Sequence, residues 1–310
     1  MKQSYLALFL LVILGLCSCR KDDNDIDIKT YDQNQIQAYI AANGLTNMKR
    51  DLTDGDTTGI YYEILAAGTG AALDYDQRVS LVLSTKSLDG AYAVTDTIVN
   101  HQYNYVGNLS PKGLMLAIHN LALRKGTRAH FIIPSRLAYG RNGLGTGSSR
   151  LRGNQSLDYY VNVIDNQDQY DDQVIQKYLS TNGLSGYTKT ASGLWYKVTA
   201  PGTGTVLPSS TSTVTAQYTG SILNGTQFDI ASNDQSTTNV GISITLDNSG
   251  TVGFAEGIQK GTAGSKLSLF VPSKLAYGTA AAGTQDQTGN YTIPPNSILH
   301  FEINLLTVTN

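Results

Sequence analysis

Residues 271–278 read Val-Pro-Ser-Lys-Leu-Ala-Tyr-Gly, and residues 133–140 read Ile-Pro-Ser-Arg-Leu-Ala-Tyr-Gly. Two further stretches recur in the same order and at a similar spacing, 31–45 with 170–184 and 59–70 with 193–204. A repeat of this length is too long for a solenoid and suits one globular unit. The 310-residue chain is therefore predicted to contain two copies of one domain.

The composition argues against some classes of function. The chain is 41% apolar and only 15% charged, with a net charge of −2. Because it lacks the strong basic cluster that holds phosphates, we expect no nucleic-acid partner. The histidines are scattered and lack the spacing of metal ligands, so we expect no metal and no other cofactor: His101, His119, His130 and His300.

Residues 1–19 are predicted to be a targeting segment and to lie outside the fold. Their apolar stretch, 5–16, is shorter than the ~20 residues that span a bilayer. Residues 16–19, Leu-Cys-Ser-Cys, resemble a bacterial lipobox in which Cys19 is lipidated. Cys17 is the weaker candidate, because a bulky leucine would precede the cleavage point. The alternative is an ordinary signal peptide without a lipid.

Residues 20–30 are polar and charged and are predicted to be a tether. Within them Lys21-Asp22-Asp23 resembles the export tag of Bacteroidetes surface lipoproteins, and the alternative is a plain solvated linker. The expected location is the cell envelope, as an outer-membrane lipoprotein that faces the periplasm or the outside. Lipid chains on a cysteine would anchor the protein firmly to the membrane.

Most of the remaining sequence alternates in the manner of strands. Apolar spacing predicts a leading helix before each domain body and a short helix within it, over 32–42, 114–123, 171–181 and 254–259. The sequence leaves open whether the leading helices pack on the domain bodies. Five or six antiparallel strands with one short helix in each half predict an α+β fold. The predicted domains are residues 31–166 and 170–310.

The second half carries five motifs in a fixed order. They are 217–220 (Gln-Tyr-Thr-Gly), 224–229 (Asn-Gly-Thr-Gln-Phe-Asp), 253–258 (Gly-Phe-Ala-Glu-Gly-Ile), 272–278, and 293–297 (Ile-Pro-Pro-Asn-Ser) followed by 299–302 (Leu-His-Phe-Glu). Over about 194–308 this half resembles the FKBP-type peptidyl-prolyl cis–trans isomerases. The resemblance implies two tandem FKBP-like domains, each with an antiparallel half-barrel sheet wrapped on a short helix.

The resemblance also implies the residues of an aromatic pocket. They are Tyr218, Phe228, Asp229, Phe254, Tyr277, Ile293 and Phe301. A backbone amide from Val252 or Thr251 would grip a ligand carbonyl, and Ile242 falls near another wall of the pocket. Asp229 is expected to act electrostatically while paired with Tyr218. Such a pocket needs no nucleophile, because a dry aromatic environment favours the twisted, less polar amide over the planar one.

The first half retains only part of this pattern. Tyr139 and Tyr159 match Tyr277 and Phe301, and both are weaker candidates for substrate binding. Leu83 stands in the place of Tyr218, and no Phe-Asp pair follows. Asp96 is a weak substitute for the missing carboxylate. We therefore expect a degenerate FKBP-like domain with little isomerase activity, which binds peptide or only supports the second half.

The leading interpretation is a peptidyl-prolyl isomerase that acts on X-Pro bonds of exported proteins, with the second domain active. Its partners would be proline-containing segments, with macrolide ligands as a further expectation from the resemblance. The alternative is a non-catalytic peptide-binding lipoprotein or envelope chaperone that uses the same domains without turnover.

Overall fold

The structure is a computed structural model, and it describes residues 27–148, 150–231, 241–285 and 290–310. The predicted targeting segment, with Cys19, and most of the tether therefore lie outside the described residues. Within the described ranges no helix is both long and apolar enough to cross a membrane.

The first domain is built, within residues 27–148 and 150–164, from two α-helices and seven strands. They are α1 (Ile28–Ala42), β1 (Lys49–Arg50), β2 (Tyr61–Ala66), β3 (Arg78–Ser87), β4 (Ala93–Val94), β5 (His101–Tyr105), α2 (Lys112–Ala117), β6 (Arg128–Ile133) and β7 (Leu157–Ile164). The strands form one antiparallel sheet in the order β1-β2-β6-β7-β3-β4, and β5 also pairs with β3. A π-helical turn, Ile118–Ala122, extends α2.

The described part of the second domain repeats this plan and adds a hairpin. Its elements are α3 (Gln167–Thr181), β8 (Thr188–Lys189), β9 (Trp195–Ala200), β10 (Thr213–Ile222), β11 (Gln227–Ala231), β12 (Ile242–Thr245), α4 (Val252–Ile258), β13 (Lys266–Val271), β14 (Ala282–Gln285), β15 (Tyr291–Ile293) and β16 (Leu299–Thr309). The main sheet has the order β8-β9-β13-β16-β10-β11, with β12 on β10, while β14 pairs with β15. The matching strand orders confirm the α+β fold in two copies.

Each main sheet has seven strands, so the expectation of five or six was too low. The missed strands β1, β4 and β8 are two residues long. A two-residue strand shows no alternation that a sequence pattern could reveal.

The short helix of each domain lies directly on its sheet. A Cβ atom added to Gly253 would lie 2.3 Å from Val271, and one added to Gly113 would lie 2.3 Å from Ile133. The glycines permit this close approach and are equivalent in the two domains. The residue that follows each glycine is buried in the core, Leu114 in one domain and Phe254 in the other.

The leading helices start earlier than the apolar spacing predicts. The Asp27 carboxylate accepts a hydrogen bond from the Thr30 amide, and the Asn166 side chain accepts one from the Gln169 amide. These two residues are N-caps, which satisfy the free amides of a first helical turn. The first turn of each leading helix comes before the apolar positions that predicted the helix. Only the N-cap residues mark these turns in the sequence.

Both leading helices pack on the outer face of their sheet, which settles the question that the sequence left open. Ile36 of α1 forms a buried cluster with Tyr61 and Ile132. Ile175 of α3 forms the equivalent cluster with Phe270. Burial of such side chains contributes roughly 1.5–3 kcal/mol each, so these helices are integral parts of the domains.

A buried carboxylate also ties α1 to the sheet. The Tyr39 hydroxyl and His130 Nε2 each donate to Asp158 at 2.6 Å, and the Asp158 side chain is only 2% exposed. Burial by itself would raise the pKa of Asp158, but the hydrogen bonds from His130 and Tyr39 outweigh it and hold the pKa below its usual value. The ionised form is therefore stabilised in the folded protein.

We expect Asp158→Asn to lower the free energy of unfolding at pH 7 by about 2 kcal/mol, since two charge-assisted hydrogen bonds are lost. A carboxyl group whose pKa is lower in the folded than in the unfolded state stabilises the fold at pH values above its unfolded pKa of ~3.9. This stabilisation is lost as the pH falls through the folded-state pKa. The difference between wild type and variant should therefore shrink below about pH 4. Urea titrations at pH 7 and pH 3 measure it. The exposed Asp168, which pairs with Lys274, provides a matched Asp→Asn control. An equal difference in unfolding free energy between wild type and Asp158→Asn at both pH values would contradict the prediction.

Candidate active site

Four aromatic rings from three strands and α4 converge on one bowl in the second domain. The ring centroids of Phe254 and Phe301 lie 4.9 Å apart, those of Tyr218 and Phe254 5.1 Å apart, and those of Phe228 and Phe301 5.7 Å apart. The contacts are tilted or edge-to-face, the arrangement that aromatic quadrupoles favour. Ile293 is 2% exposed and belongs to the same apolar cluster. We call this set of five side chains the aromatic bowl.

A glycine makes room for the bowl. Gly220 lies opposite Phe301 in the pairing of β10 with β16. A Cβ atom added to Gly220 would lie 2.8 Å from the Phe228 ring and 2.9 Å from the Phe301 ring. Real Cβ atoms essentially never come this close, so any side chain at this position would displace the rings. The sequence motif contained Gly220, but its spacing gave no sign of this role.

A β-bulge brings both Phe228 and Asp229 to the bowl. In the pairing of β10 with β11, Gly220 faces Asp229 while Ser221 faces Gln227, so Phe228 is the extra residue. Consecutive residues of a regular strand point to opposite faces, and a bulge removes that restriction. The Phe228 ring contacts Phe301, while the neighbouring carboxylate reaches the Tyr218 hydroxyl.

The carboxylate lies at the exposed edge of the bowl. The Tyr218 hydroxyl donates a hydrogen bond of 2.7 Å to Asp229 Oδ2. Burial raises the pKa of the Tyr218 phenol, and the hydrogen bond to Asp229 raises it further. Tyr218 therefore remains a protonated donor at any physiological pH and fixes the orientation of the Asp229 carboxylate. The pairing expected from the sequence is present in the structure.

The remaining candidates lie around the rim. Tyr277 is 39% exposed, and its proximity contributes to the raised pKa of Tyr218. Val252 is 70% exposed at the first position of α4, where a backbone N–H has no intrahelical acceptor. Thr251 is buried, and its hydroxyl has no hydrogen-bond partner among the described residues. Ile242 begins β12 and is 42% exposed, whereas Ile244 packs against the cluster that contains the bowl.

The first domain presents different side chains at the equivalent positions. Thr85 pairs with Tyr159 as Gly220 pairs with Phe301. Val94 pairs with Thr85 and thus occupies the register position of the carboxylate. The space that a glycine leaves for rings in the second domain is filled by a threonine side chain in the first. Tyr159 and Tyr139 lie close together, and burial raises the pKa of both phenols.

Asp96 does not replace the missing carboxylate, and that expectation was wrong. Its side chain accepts hydrogen bonds from the Ile98 amide at 2.9 Å and from Asn224 of the second domain at 2.8 Å. It therefore caps a turn at the boundary between the domains. Asp96 comes two positions after Val94, the last residue of β4, and therefore lies past the end of that strand. The tyrosine that the sequence reasoning missed is Tyr92, whose phenol lies near Tyr139.

The second domain is thus a small half-barrel domain with an aromatic bowl and a carboxylate at its edge. Residues 204–306 match the family model of the FKBP-type peptidyl-prolyl cis-trans isomerases. This match agrees with the family that the sequence motifs predict for this part of the chain.

Several curated relatives are similar to this chain over part of its length. The FKBP-type isomerase FkpA of Aeromonas hydrophila is 38% identical over 135 residues, which cover 43% of this chain and 45% of that protein. Outer membrane protein MIP of Legionella longbeachae is 38% identical over 133 residues, 42% of this chain and 51% of that protein. The chain thus spans about half the length of these relatives. The crystal structure of FkpA from Escherichia coli is 30% identical, covers 46% of this chain and 62% of that one, and has a TM-score of 0.36.

Proposed function

We propose that this protein is a peptidyl-prolyl cis–trans isomerase and that its second domain is the active one. The observation that carries the proposal is the aromatic bowl with the Tyr218–Asp229 pair at its edge. The family match to residues 204–306 supports it. The substrates would be X-Pro bonds in exported polypeptides.

The chemistry of the bond explains the side chains. Amide resonance holds an X-Pro bond planar behind a barrier of ~18–20 kcal/mol, and uncatalysed exchange takes tens to hundreds of seconds. A twisted amide has lost this resonance and is less polar than the planar form. A water-poor aromatic environment therefore binds the twisted form better, and this difference is the catalysis.

Each residue then has a proposed task. Phe228, Phe254 and Phe301 hold the pyrrolidine ring by shape, and Ile293 closes one side. The exposed Tyr277 hydroxyl and the backbone amide at Val252 hold carbonyl groups that flank the proline. Asp229 presents its charge at the edge of the bowl, at an orientation set by its partner. Thr251 and Ile242 would contact the substrate outside the bowl.

The first domain is proposed to have little isomerase activity. Thr85 and Val94 stand where the second domain has Gly220 and Asp229, so neither the space for the rings nor the carboxylate is retained. Tyr139 and Tyr159 lie close together in the first domain, and their side chains are proposed to serve peptide binding without turnover.

Replacement of Asp229 by asparagine tests the function. In a coupled assay with a prolyl tetrapeptide, the full-length chain should accelerate isomerisation, and Asp229→Asn should lower kcat/KM about tenfold, or ~1.4 kcal/mol. Asparagine keeps the size and removes the charge, so the unfolding midpoint should stay nearly constant. Asp247→Asn, a matched change in the loop before α4, is the control. A wild-type rate no faster than buffer would favour the non-catalytic binding protein, and an unaffected variant would remove Asp229 from the mechanism.

The protein is further proposed to be an envelope lipoprotein anchored through Cys19. The lipobox-like sequence supports this location, and the relative named outer membrane protein MIP agrees with an envelope setting. Lipid chains at Cys19 and the tether after it would hold both domains near a membrane surface. Metabolic labelling with palmitate measures the anchor, and an unlabelled mature chain would leave only a secreted protein. Macrolide ligands are proposed to compete for the aromatic bowl.

A further inference from the structure

Groups from the first domain hold the turn that follows the bowl residue Ile293. His101 Nδ1 lies 3.3 Å from the Pro295 carbonyl oxygen, and the Asn296 side-chain amide donates to Ser80 Oγ at 3.1 Å. A carbonyl can only accept, so His101 carries its proton on Nδ1. Burial lowers the pKa of His101, which keeps the ring neutral at pH 7. A neutral donor thus reaches from β5 to the loop between β15 and β16.

The repeat supplies an internal comparison for this turn. Asn154 and Asn296 both have a φ of 57°. The Asn154 amide donates to the Gly140 carbonyl at 2.8 Å, and the Asn296 amide donates to the Gly278 carbonyl at 2.8 Å. Asn154 is exposed, but Asn296 is only 3% exposed. The two turns have the same backbone, and the first domain covers only the one beside the aromatic bowl.

Apolar contacts accompany these hydrogen bonds. Ile98 packs against a buried cluster of the second domain that includes Leu223, Phe270 and Ile298. Its neighbour Val99 packs against the cluster that contains the bowl. The segment between β4 and β5 is therefore seated on the second domain by both polar and apolar groups.

A second chain of hydrogen bonds leads from the same contact to the turn before Tyr277. Ser80 Oγ donates to Gln167 Oε1 at 2.9 Å, and Gln167 Nε2 donates to Asp171 at 2.7 Å. The buried Asp171 carboxylate accepts from the Ser273 amide at 2.7 Å and from its hydroxyl at 2.6 Å. Ser273 begins the turn that carries Tyr277.

We propose that Ser80, Ile98 and His101 form an interdomain clamp through which the first domain positions Ile293 and Tyr277 for the isomerase reaction. The clamp fixes the turn after Ile293 directly and the turn before Tyr277 through Asp171. The first domain thus contributes to catalysis in the second domain, although it does not itself turn over substrate. This inference rests on the proposed isomerase function.

The test replaces the two polar clamp residues in the full-length chain, as Ser80→Ala with His101→Ala. We expect about fivefold lower kcat with KM within about twofold, because small displacements of positioning groups act on the transition state. The unfolding midpoint should remain close to that of wild type. His119→Ala is the matched control, because His119 stacks on Tyr75 within the first domain and should leave kcat unchanged. An unchanged kcat for the clamp variant in an active protein overturns the proposal.

Two more measurements separate positioning from simple destabilisation. Asn296→Ala should also lower kcat, and its combination with Ser80→Ala should lower kcat by less than the product of the two single effects, because both changes remove the bond between Asn296 and Ser80. Strictly multiplicative effects would overturn the clamp. Hydrogen exchange at the amides of residues 296–298 should be faster in the clamp variant. If wild type shows no isomerase activity, the proposed function fails. The exchange result still decides whether the first domain orders this turn. Unchanged exchange in the clamp variant would show that it does not.

Discussion

Replacing Phe254 with alanine is expected to lower kcat/KM for a prolyl peptide by about 100-fold, or ~2.7 kcal/mol. Phe254 is 4% exposed, and its ring contacts both Tyr218 and Phe301. Its removal leaves a cavity at the floor of the bowl, which water can enter, and the preference for the less polar twisted amide is lost. The same cavity should lower the free energy of unfolding by about 3–5 kcal/mol.

Phe254→Leu separates the loss of the ring from the loss of stability. The first domain already has Leu114 at the equivalent position, fully buried on the equivalent helix α2. Leucine retains most of the volume, so we expect a cost of about 1.5 kcal/mol in unfolding. Activity should still fall about tenfold, because the ring contacts are gone. Peptide assays and urea titrations on both variants measure the two effects. A folded leucine variant with wild-type kcat/KM would show that the ring is only part of the core.

Much of the fold follows from the repeat. A pattern that occurs twice in one order predicts two similar domains, and the matching strand orders of the two sheets bear this out. Strand β7, Leu157–Ile164, has a long apolar pattern of the kind that marks a strand in a sequence. Local polar caps set the starts of α1 and α3, so apolar spacing placed these starts too late.

The sequence predicted which aromatic side chains come together, but not the geometry that brings them together. Motif order indicated that Tyr218, Phe254 and Phe301 would meet, and they do. The bulge at Phe228 could not be read from the sequence, since it depends on how two strands pair. The spacing of residues along the sequence also cannot reveal contacts between the two domains. For that reason the sequence suggested Asp96 as a weak substitute for the missing carboxylate, although its side chain accepts a hydrogen bond from Asn224.

The two domains differ at one position of the sheet where the second domain has no side chain, and the aromatic bowl depends on this difference. In the second domain Gly220 leaves space for two rings, and in the first domain Thr85 occupies the matching place. Threonine favours strands and glycine weakens them, so the first domain follows the ordinary preference of a sheet. The glycine in the second domain is better explained by the bowl than by the stability of β10.

Gly220→Thr, which copies the first domain, is therefore expected to lower kcat/KM by more than about 100-fold while the protein remains folded. The new Cβ would lie within 2.9 Å of both Phe228 and Phe301, so both rings must move out of the bowl. Overpacking of this kind costs about 1–3 kcal/mol, and the strand preference of threonine offsets part of it. Peptide assays and thermal unfolding of the full-length chain measure the two effects.

Two further variants make the result specific. Gly220→Ala adds the Cβ alone and should have an intermediate effect, since the rings need to shift less. Ser221→Thr adds a methyl group at the neighbouring position of β10, which points to the opposite face, and should leave activity near wild type. If Gly220→Thr retained full activity, the four rings could not be the surface that binds proline, because at least two of them would have left their places. The reverse change, Thr85→Gly, should not create activity in the first domain, because Val94 still stands in place of the carboxylate.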